Sequence, residues 1–271
     1  MALFFLHGVV DEWSAGAATH RNYVAREWFE RHLRGRIAPY GEWKGKTAEG
    51  DFLSVDDATR AGAAACRVAR ELGHEVIFFV NPLQVATGTP YFFSVLDAAL
   101  DTRTVSSVVE GEEIFDLVTP ARVRRFRRAA KARLMTLPAE EALAAAHEIA
   151  RRLGTEVAAV PPHCEPVTLD DLRQLRDCGV RVENHGWSHV EISALTDDEF
   201  ARHVRSAQSW LCTELGVAAT LYAVPFGLSD VTPERQRHVP DGYFLADGDR
   251  PPERLGPLCW NRHDLTDLFQ H

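Results

Sequence analysis

Three short segments of this 271-residue chain carry residues whose types and spacing suit catalysis. The first is Ser54-Val55-Asp56-Asp57, two carboxylates directly behind an apolar run. Asp-Asp pairs also stand at Asp170-Asp171 and Asp197-Asp198, in first helical turns, where carboxylates favour the positive end of the helix macrodipole. Asp56-Asp57 ends a strand-like run instead, although a helical pattern over 59–72 begins just behind it. The second segment is His185-Gly186-Trp187-Ser188-His189. Two imidazoles four residues apart can share a metal, and with one carboxylate they leave positions open for water and substrate. Twelve histidines make this spacing weak by itself, and ordinary surface or core histidines would produce it too. The third is Leu221-Tyr222-Ala223-Val224-Pro225-Phe226-Gly227. Its Pro and Gly either turn the chain or aim the Phe226 backbone N–H at a developing oxyanion.

The elements that must position these groups alternate in type. Residues 2–6, 52–55, 76–80, 180–183, 220–224, 243–246 and 257–260 read as buried strands. Between them lie helical patterns: Ala61, Ala64, Val68 and Leu72 share a face before Gly73, and Thr196 to Glu199 forms a capping box ahead of Phe200, Val204, Ala207, Leu211 and Leu215. Thr168 opens another helix that ends at Gly179. Strand–helix repetition demands a mostly parallel sheet, and about seven strands suggest a (β/α) barrel, whose C-terminal mouth is where active sites collect. Residues 101–153 break the rhythm and read as a helical insertion. There Arg122, Arg124, Arg125, Arg127, Arg128, Lys131 and Arg133 surround the apolar stripe Val123, Phe126, Ala130 and Leu134. This is a solvated helix with one buried face, or an anion-binding helix. No linker divides residues 1–271, so a single domain is expected.

Composition narrows the class. With 30 Lys+Arg against 39 Asp+Glu the formal charge is −9, which argues against a nucleic-acid binder. No apolar run is long enough to span a membrane. The short apolar start lacks the basic region and cleavage site of a signal peptide. Five scattered cysteines without a C-x-x-C pair fit reduced thiols, so a cytoplasmic location is expected.

The order Asp-Asp after one strand, H-x-x-S-H after a later one and A-x-P-F-G after a third resembles the polysaccharide deacetylase (NodB-homology) family, from about His7 to Leu265. Ser54-Val55-Asp56-Asp57 is similar to its T-F-D-D motif, and His185 to His189 to its second motif, with Gly186 where Ser or Thr is usual. The resemblance implies a distorted (β/α) barrel and a metal-dependent deacetylase, with Asp56 as general base and Asp57, His185 and His189 as metal ligands. The metal would be zinc, with Co2+, Ni2+ or Mn2+ as alternatives. Phe226 would offer its N–H to the oxyanion. Many members carry an arginine where Ala223 stands, to orient the catalytic Asp. The segment Leu258-Cys259-Trp260-Asn261-Arg262-His263-Asp264 partly resembles the late family segment that supplies a general acid. One alignment makes His263 that acid, and another matches Arg262 and leaves His263 incidental.

The substrate implied is an N-acetylated (or O-acetylated) sugar, glycoside or sugar-containing small molecule. Two alternatives stay beside it: a non-catalytic carbohydrate-binding protein on the same barrel, and a related metal-dependent amide hydrolase with a non-acetyl substrate. Loops 9–23 and 97–113 are expected to set specificity. His7, ending the first strand, and His163 read as ordinary loop or core histidines, Trp187 and Trp260 as packing or sugar-stacking groups, and Cys164 as inert. Neither the acyl group nor the oligomeric state is legible.

Overall fold

The computed structural model describes residues 2–44, 47–48, 50–157, 159–239, 241–246, 248 and 253–270. The short apolar runs become β1 (Leu3–Leu6), β2 (Phe52–Asp56), β3 (Ile77–Val80), β4 (Arg181–Asn184), β5 (Leu221–Ala223), β6 (Gly242–Leu245), β7 (Cys259–Asn261) and β8 (His263–Asp264). They form one sheet in the order β7-β6-β5-β4-β3-β2-β1-β8, and every neighbouring pair is parallel. The edge strands β7 and β8 are separated in sequence only by Arg262. The sheet therefore curls into a nearly closed barrel with its seam at that residue. All seven expected strands are present, shifted by one or two residues at their ends. The eighth, β8, pairs Phe4 with His263 and Phe5 with Asp264, and is too short to leave a periodic signal.

Strand alternation sorts the side chains between two cores. Leu3, Phe52, Ile77, Phe79, Leu221, Ala223, Phe244 and Trp260 fill the barrel with Trp43, which lies edge-on to Phe52, Phe244 and Trp260. Because Leu3 and Phe52 begin their strands, Trp43 plugs the N-terminal end. Trp260 is part of this packing and meets no solvent face. Leu6, Leu53, Val55, Phe78, Val80 and Val182 point outward against helices.

The helices are α1 (Arg26–Arg34), α2 (Arg60–Glu71), α3 (Pro82–Thr87), α4 (Phe92–Thr102), α5 (Pro120–Leu134), α6 (Ala139–Arg152), α7 (Leu169–Asp177) and α8 (Asp197–Leu215), with two short ones after them at Pro233–Gln236 and Leu265–Gln270. Thr59 caps α2, accepting from the Gly62 N–H, and reciprocal capping boxes start α7 at Thr168 and α8 at Thr196. Such caps contribute about 1 kcal/mol each. The insertion is not wholly helical: a hairpin, Ser107–Glu110 with Glu113–Asp116, lies between α4 and α5. Leu96, Leu100, Phe126, Ala130, Leu134, Ala146 and Ile149 join α4, α5 and α6 in their own core. That layer closes over the mouth of the barrel on the side of Phe92 and Phe93.

Candidate functional site

Asp56 is the last residue of β2 and falls in the alternation with the inward-facing Phe52 and Ser54, so its carboxylate points into the barrel. The next residue, Asp57, turns at φ 64° and sits at the mouth. His185 follows β4 directly, His189 lies four residues on at φ 53°, and Phe226 follows β5 at φ 62°. Asp57, His189 and Phe226 are the non-glycine residues with left-handed backbone among the described residues. Each such conformation costs on the order of 1–2 kcal/mol. Strain concentrated in this way is characteristic of functional sites, where the surrounding fold over-determines the backbone.

The three strained residues and His185 meet in one cluster, buried except for the half-buried Phe226. One ligand atom each from Asp57, His185 and His189 lies within 4.8 Å of the others. The Asp57 Oδ1 is 3.4 Å from His185 Nε2 and 3.0 Å from His189 Nε2. The Nδ1 of His185 is 2.9 Å from the Ala223 carbonyl, an acceptor. In the neutral ring Nδ1 therefore carries the proton, and the bare Nε2 faces a carboxylate oxygen that finds no hydrogen-bond donor. Lone pairs facing one another at this range call for a cation between them. Burial lowers the pKa of His189, against the opposing pull of Asp57, and so favours the neutral ligand form. For Asp57, burial raises the pKa, but the two imidazoles crowded against it, when protonated, outweigh it, so the carboxyl is held well below its usual range. A carboxylate with two neutral imidazoles is a donor set that fits zinc and its neighbours, with positions left open.

Asp56 does not join this set. Its two oxygens each accept at 2.7 Å from Nη1 and Nη2 of Arg262, and that Nη1 also donates to Ser54 Oγ at 2.8 Å. Burial raises the pKa of Asp56, but the Arg262 charge more than offsets it, so the carboxyl is held below its ordinary value. The arginine that Ala223 cannot supply thus arrives from the barrel seam. His263 is not brought to the cluster. Its backbone pairs with Phe4, and its ring lies edge-on to that outward-facing phenylalanine at 6.1 Å. The expectation that His263 faces the mouth is corrected: of the adjacent pair, Arg262 points in and His263 out.

His7 does reach the site. It follows β1, its Nδ1 is buried without a partner, and it lines a small cavity with Asp57, Tyr23, Phe93 and Cys164. Gly8 fixes this placement: a Cβ there would lie 2.4 Å from the Ala61 carbonyl carbon, so the chain runs directly against the first turn of α2. Burial pushes the Cys164 thiol up to about 12, which leaves it inert. His163 packs on His20 and Tyr23, and Trp187 lies along α8, both outside the cluster.

Sequence reasoning missed the groups that hold the loops together. Asn81 donates to the carbonyls of His185 (2.6 Å) and Gly186 (3.1 Å). It accepts from the Tyr91 hydroxyl at 3.0 Å, and that hydroxyl in turn accepts from the Ala58 N–H at 2.8 Å. The loop bearing Asp57 is thereby tied to the one bearing His185. A polar residue ending the apolar run of β3 was the available signal. Gly186 stands where Ser or Thr is usual because a Cβ would lie 2.0 Å from Nε2 of His203 on α8. Phe226 covers His189 at 4.5 Å between ring centroids, and its backbone N–H has no acceptor among the described residues.

The polysaccharide deacetylase family model matches residues 129–238, less than half of the chain. That stretch includes His185, His189 and Phe226, and stops short of the aspartates. Structural likeness extends much further. A polysaccharide deacetylase from Bacillus cereus superposes with a TM-score of 0.58 at 12% identity, covering 99% of this chain and 67% of that one. The chain has the polysaccharide deacetylase fold. IcaB from Ammonifex degensii gives 0.52 at 13% identity over 100% and 98% of the two chains, and Streptococcus pyogenes deacetylase PplD, solved with acetate, 0.51 at 11% over 97% and 91%. No curated protein matches the chain in sequence.

Proposed function

We propose that this protein is a metal-dependent deacetylase that hydrolyses an N-acetyl or O-acetyl group on a carbohydrate or a sugar-containing small molecule in the cytoplasm. The observation that carries the reading is the convergence of Asp57 Oδ1 with the two Nε2 atoms of His185 and His189, of which that of His185 is bare in the neutral ring. The polysaccharide deacetylase match and fold support the substrate class. A divalent metal held by Asp57, His185 and His189, zinc by donor type with Co2+, Ni2+ or Mn2+ also compatible, would polarise the acyl carbonyl and lower the pKa of water.

The chain's own groups do the rest. Asp56 is ionised at neutral pH, since Arg262 holds its pKa down, and its fixed carboxylate accepts the proton of the attacking water. The free N–H of Phe226 donates to the oxygen that becomes negative as the acyl carbon turns tetrahedral. His7, which lines the cavity beside Asp57, protonates the leaving amine as the carbon–nitrogen bond breaks, so that the amine and acetate depart. A second reading rests on a cavity of about 350 Å³ beside His189, lined by Leu83, Tyr91, Phe92, Leu137 and Leu143. It would hold an acyl chain longer than acetyl.

The test is metal content and acyl release together. Wild type should carry about one divalent metal per chain and release acetate from N-acetyl sugars, and His185→Ala and Asp57→Ala should lose both. His7→Gln should keep the metal and lose most of kcat. A wild type that binds no metal even after zinc is added would sink the proposal and favour a carbohydrate-binding protein. Release of longer acyl groups in preference to acetate would favour the second reading.

A further inference from the structure

The basic run of α5 is not uniform. Arg122 pairs with Asp116, Arg125 with Glu113, Arg133 with Glu110 and buried Arg127 with Asp97. Arg124, Arg128 and Lys131 have no carboxylate partner among the described residues, and their spacing of four and three puts them on one helical stripe. That stripe ends at the candidate metal centre. The Lys131 Nζ lies 5.1 Å from the ring centre of Phe226 and 5.8 Å from that of Phe93, and both rings pack on His189. Burial, then the nearby Arg127, push Lys131 down to about 8, against the weaker pull of Asp97 and Asp57.

At its other end the stripe opens into a cavity of about 720 Å³ lined by Arg21, Arg103, Arg124 and Arg127 together with Trp13 and Phe269. Its acidic lining residue, Asp101, is already taken up by the N–H groups of Ala18 and Thr19 and by the Thr19 hydroxyl. Arg21 is lowered first by burial and then by Arg127, with Asp97 opposing and Arg124 and Arg128 adding to the shift, so cations from two elements outnumber the carboxylate here. From Arg124 to Lys131 the helix rises about 10 Å. One carboxylate would engage one of these cations, whereas a phosphate ester or diphosphate spans several.

We infer that the substrate is an acylated amino sugar carrying a phosphate ester, its acyl group at the metal centre and its phosphate along the Arg124–Arg128–Lys131 stripe. This rests on the deacetylase reading and names its substrate class. The cavity holding Trp13 and Phe269 then receives whatever the phosphate links to, which a nucleoside diphosphate would fill and a sugar 1-phosphate would not.

Wild type and the double variant Arg124→Gln/Arg128→Gln, both metal-loaded, are compared on N-acetylglucosamine, its 1-phosphate and its nucleoside-diphosphate ester. Inorganic pyrophosphate is titrated by calorimetry into both, and into His185→Ala. Wild type should prefer a phosphorylated sugar about tenfold or more in kcat/KM, and the variant should lose most of that preference. Pyrophosphate should bind about tenfold more weakly to the arginine variant and unchanged to His185→Ala. Equal handling of neutral and phosphorylated sugars overturns the inference. So does pyrophosphate binding that disregards the arginines. Should no sugar be deacetylated, the proposed activity fails, and arginine-dependent pyrophosphate binding alone upholds the anion site while its absence overturns it.

Discussion

Buried Asp56 and Arg262 illustrate what a single residue contributes. Each satisfies the other with two parallel hydrogen bonds away from the surface, so removing one leaves an uncompensated buried charge. Arg262→Gln is expected to lose about 3–5 kcal/mol in urea denaturation. Adding Asp56→Asn should recover much of that loss, and strictly additive losses would show that the pair acts independently. Asp56, Asp57, His185, His189 and Phe226 are legible in sequence because each ends or follows an apolar strand, which puts it at one end of a parallel barrel. His263 is misplaced for a related reason. Adjacent residues of an extended chain face opposite sides, so a one-residue ambiguity between Arg262 and His263 exchanges interior for exterior. Nothing local in the sequence resolves it, since the deciding partner, Asp56, lies 206 residues away.

Elements act here by holding loops in register. Asn81 and Tyr91 link the end of β3 to the loops behind β2 and β4, and their partners are mainly backbone atoms, which side-chain motifs do not reveal. Tyr91→Phe keeps the ring and breaks the link, and should weaken metal affinity by roughly tenfold with an unchanged circular dichroism spectrum. No change in affinity would reduce the link to packing. Helix α8 supplies a second contact through His203, which burial pushes down to about 3. The folded state keeps this ring neutral while the unfolded chain protonates it near pH 6.5. Stability from this group is thus full above pH 6.5 and falls as the pH drops below it, by roughly 3 kcal/mol at pH 4. His203→Leu should flatten that part of the Tm–pH curve, and an identical slope in the variant would assign the acid sensitivity elsewhere. The capping boxes and apolar faces of α7 and α8 are plain in sequence, whereas the hairpin between α4 and α5 is not. Its four-residue strands are shorter than a helical window and break the polar–apolar alternation, with Val109 and Ile114 exposed and Glu110 buried.

For the whole molecule, the barrel's packing is independent of the candidate metal ligands. The candidate ligands come from the ends of β2 and β4, while the sheet, the Trp43 plug and the helical layer are built from apolar burial. The Asn81–Tyr91 link holds the two ligand loops together independently of a metal. A site of this kind differs from a small zinc module whose folding is metal binding. Chelation should therefore leave the secondary structure intact and lower Tm by the mass-action term alone, worth about 4 kcal/mol when free zinc stands at a thousand times its Kd. Asp57→Ala and His185→Ala should show no Tm rise on adding zinc. The zinc-dependent rise should shrink in acid as protons compete with the metal for His189, while the lowered pKa of that ring delays the competition. Loss of helical dichroism on chelation would mean instead that the ion holds the two strand ends together, and that the barrel is incomplete without it.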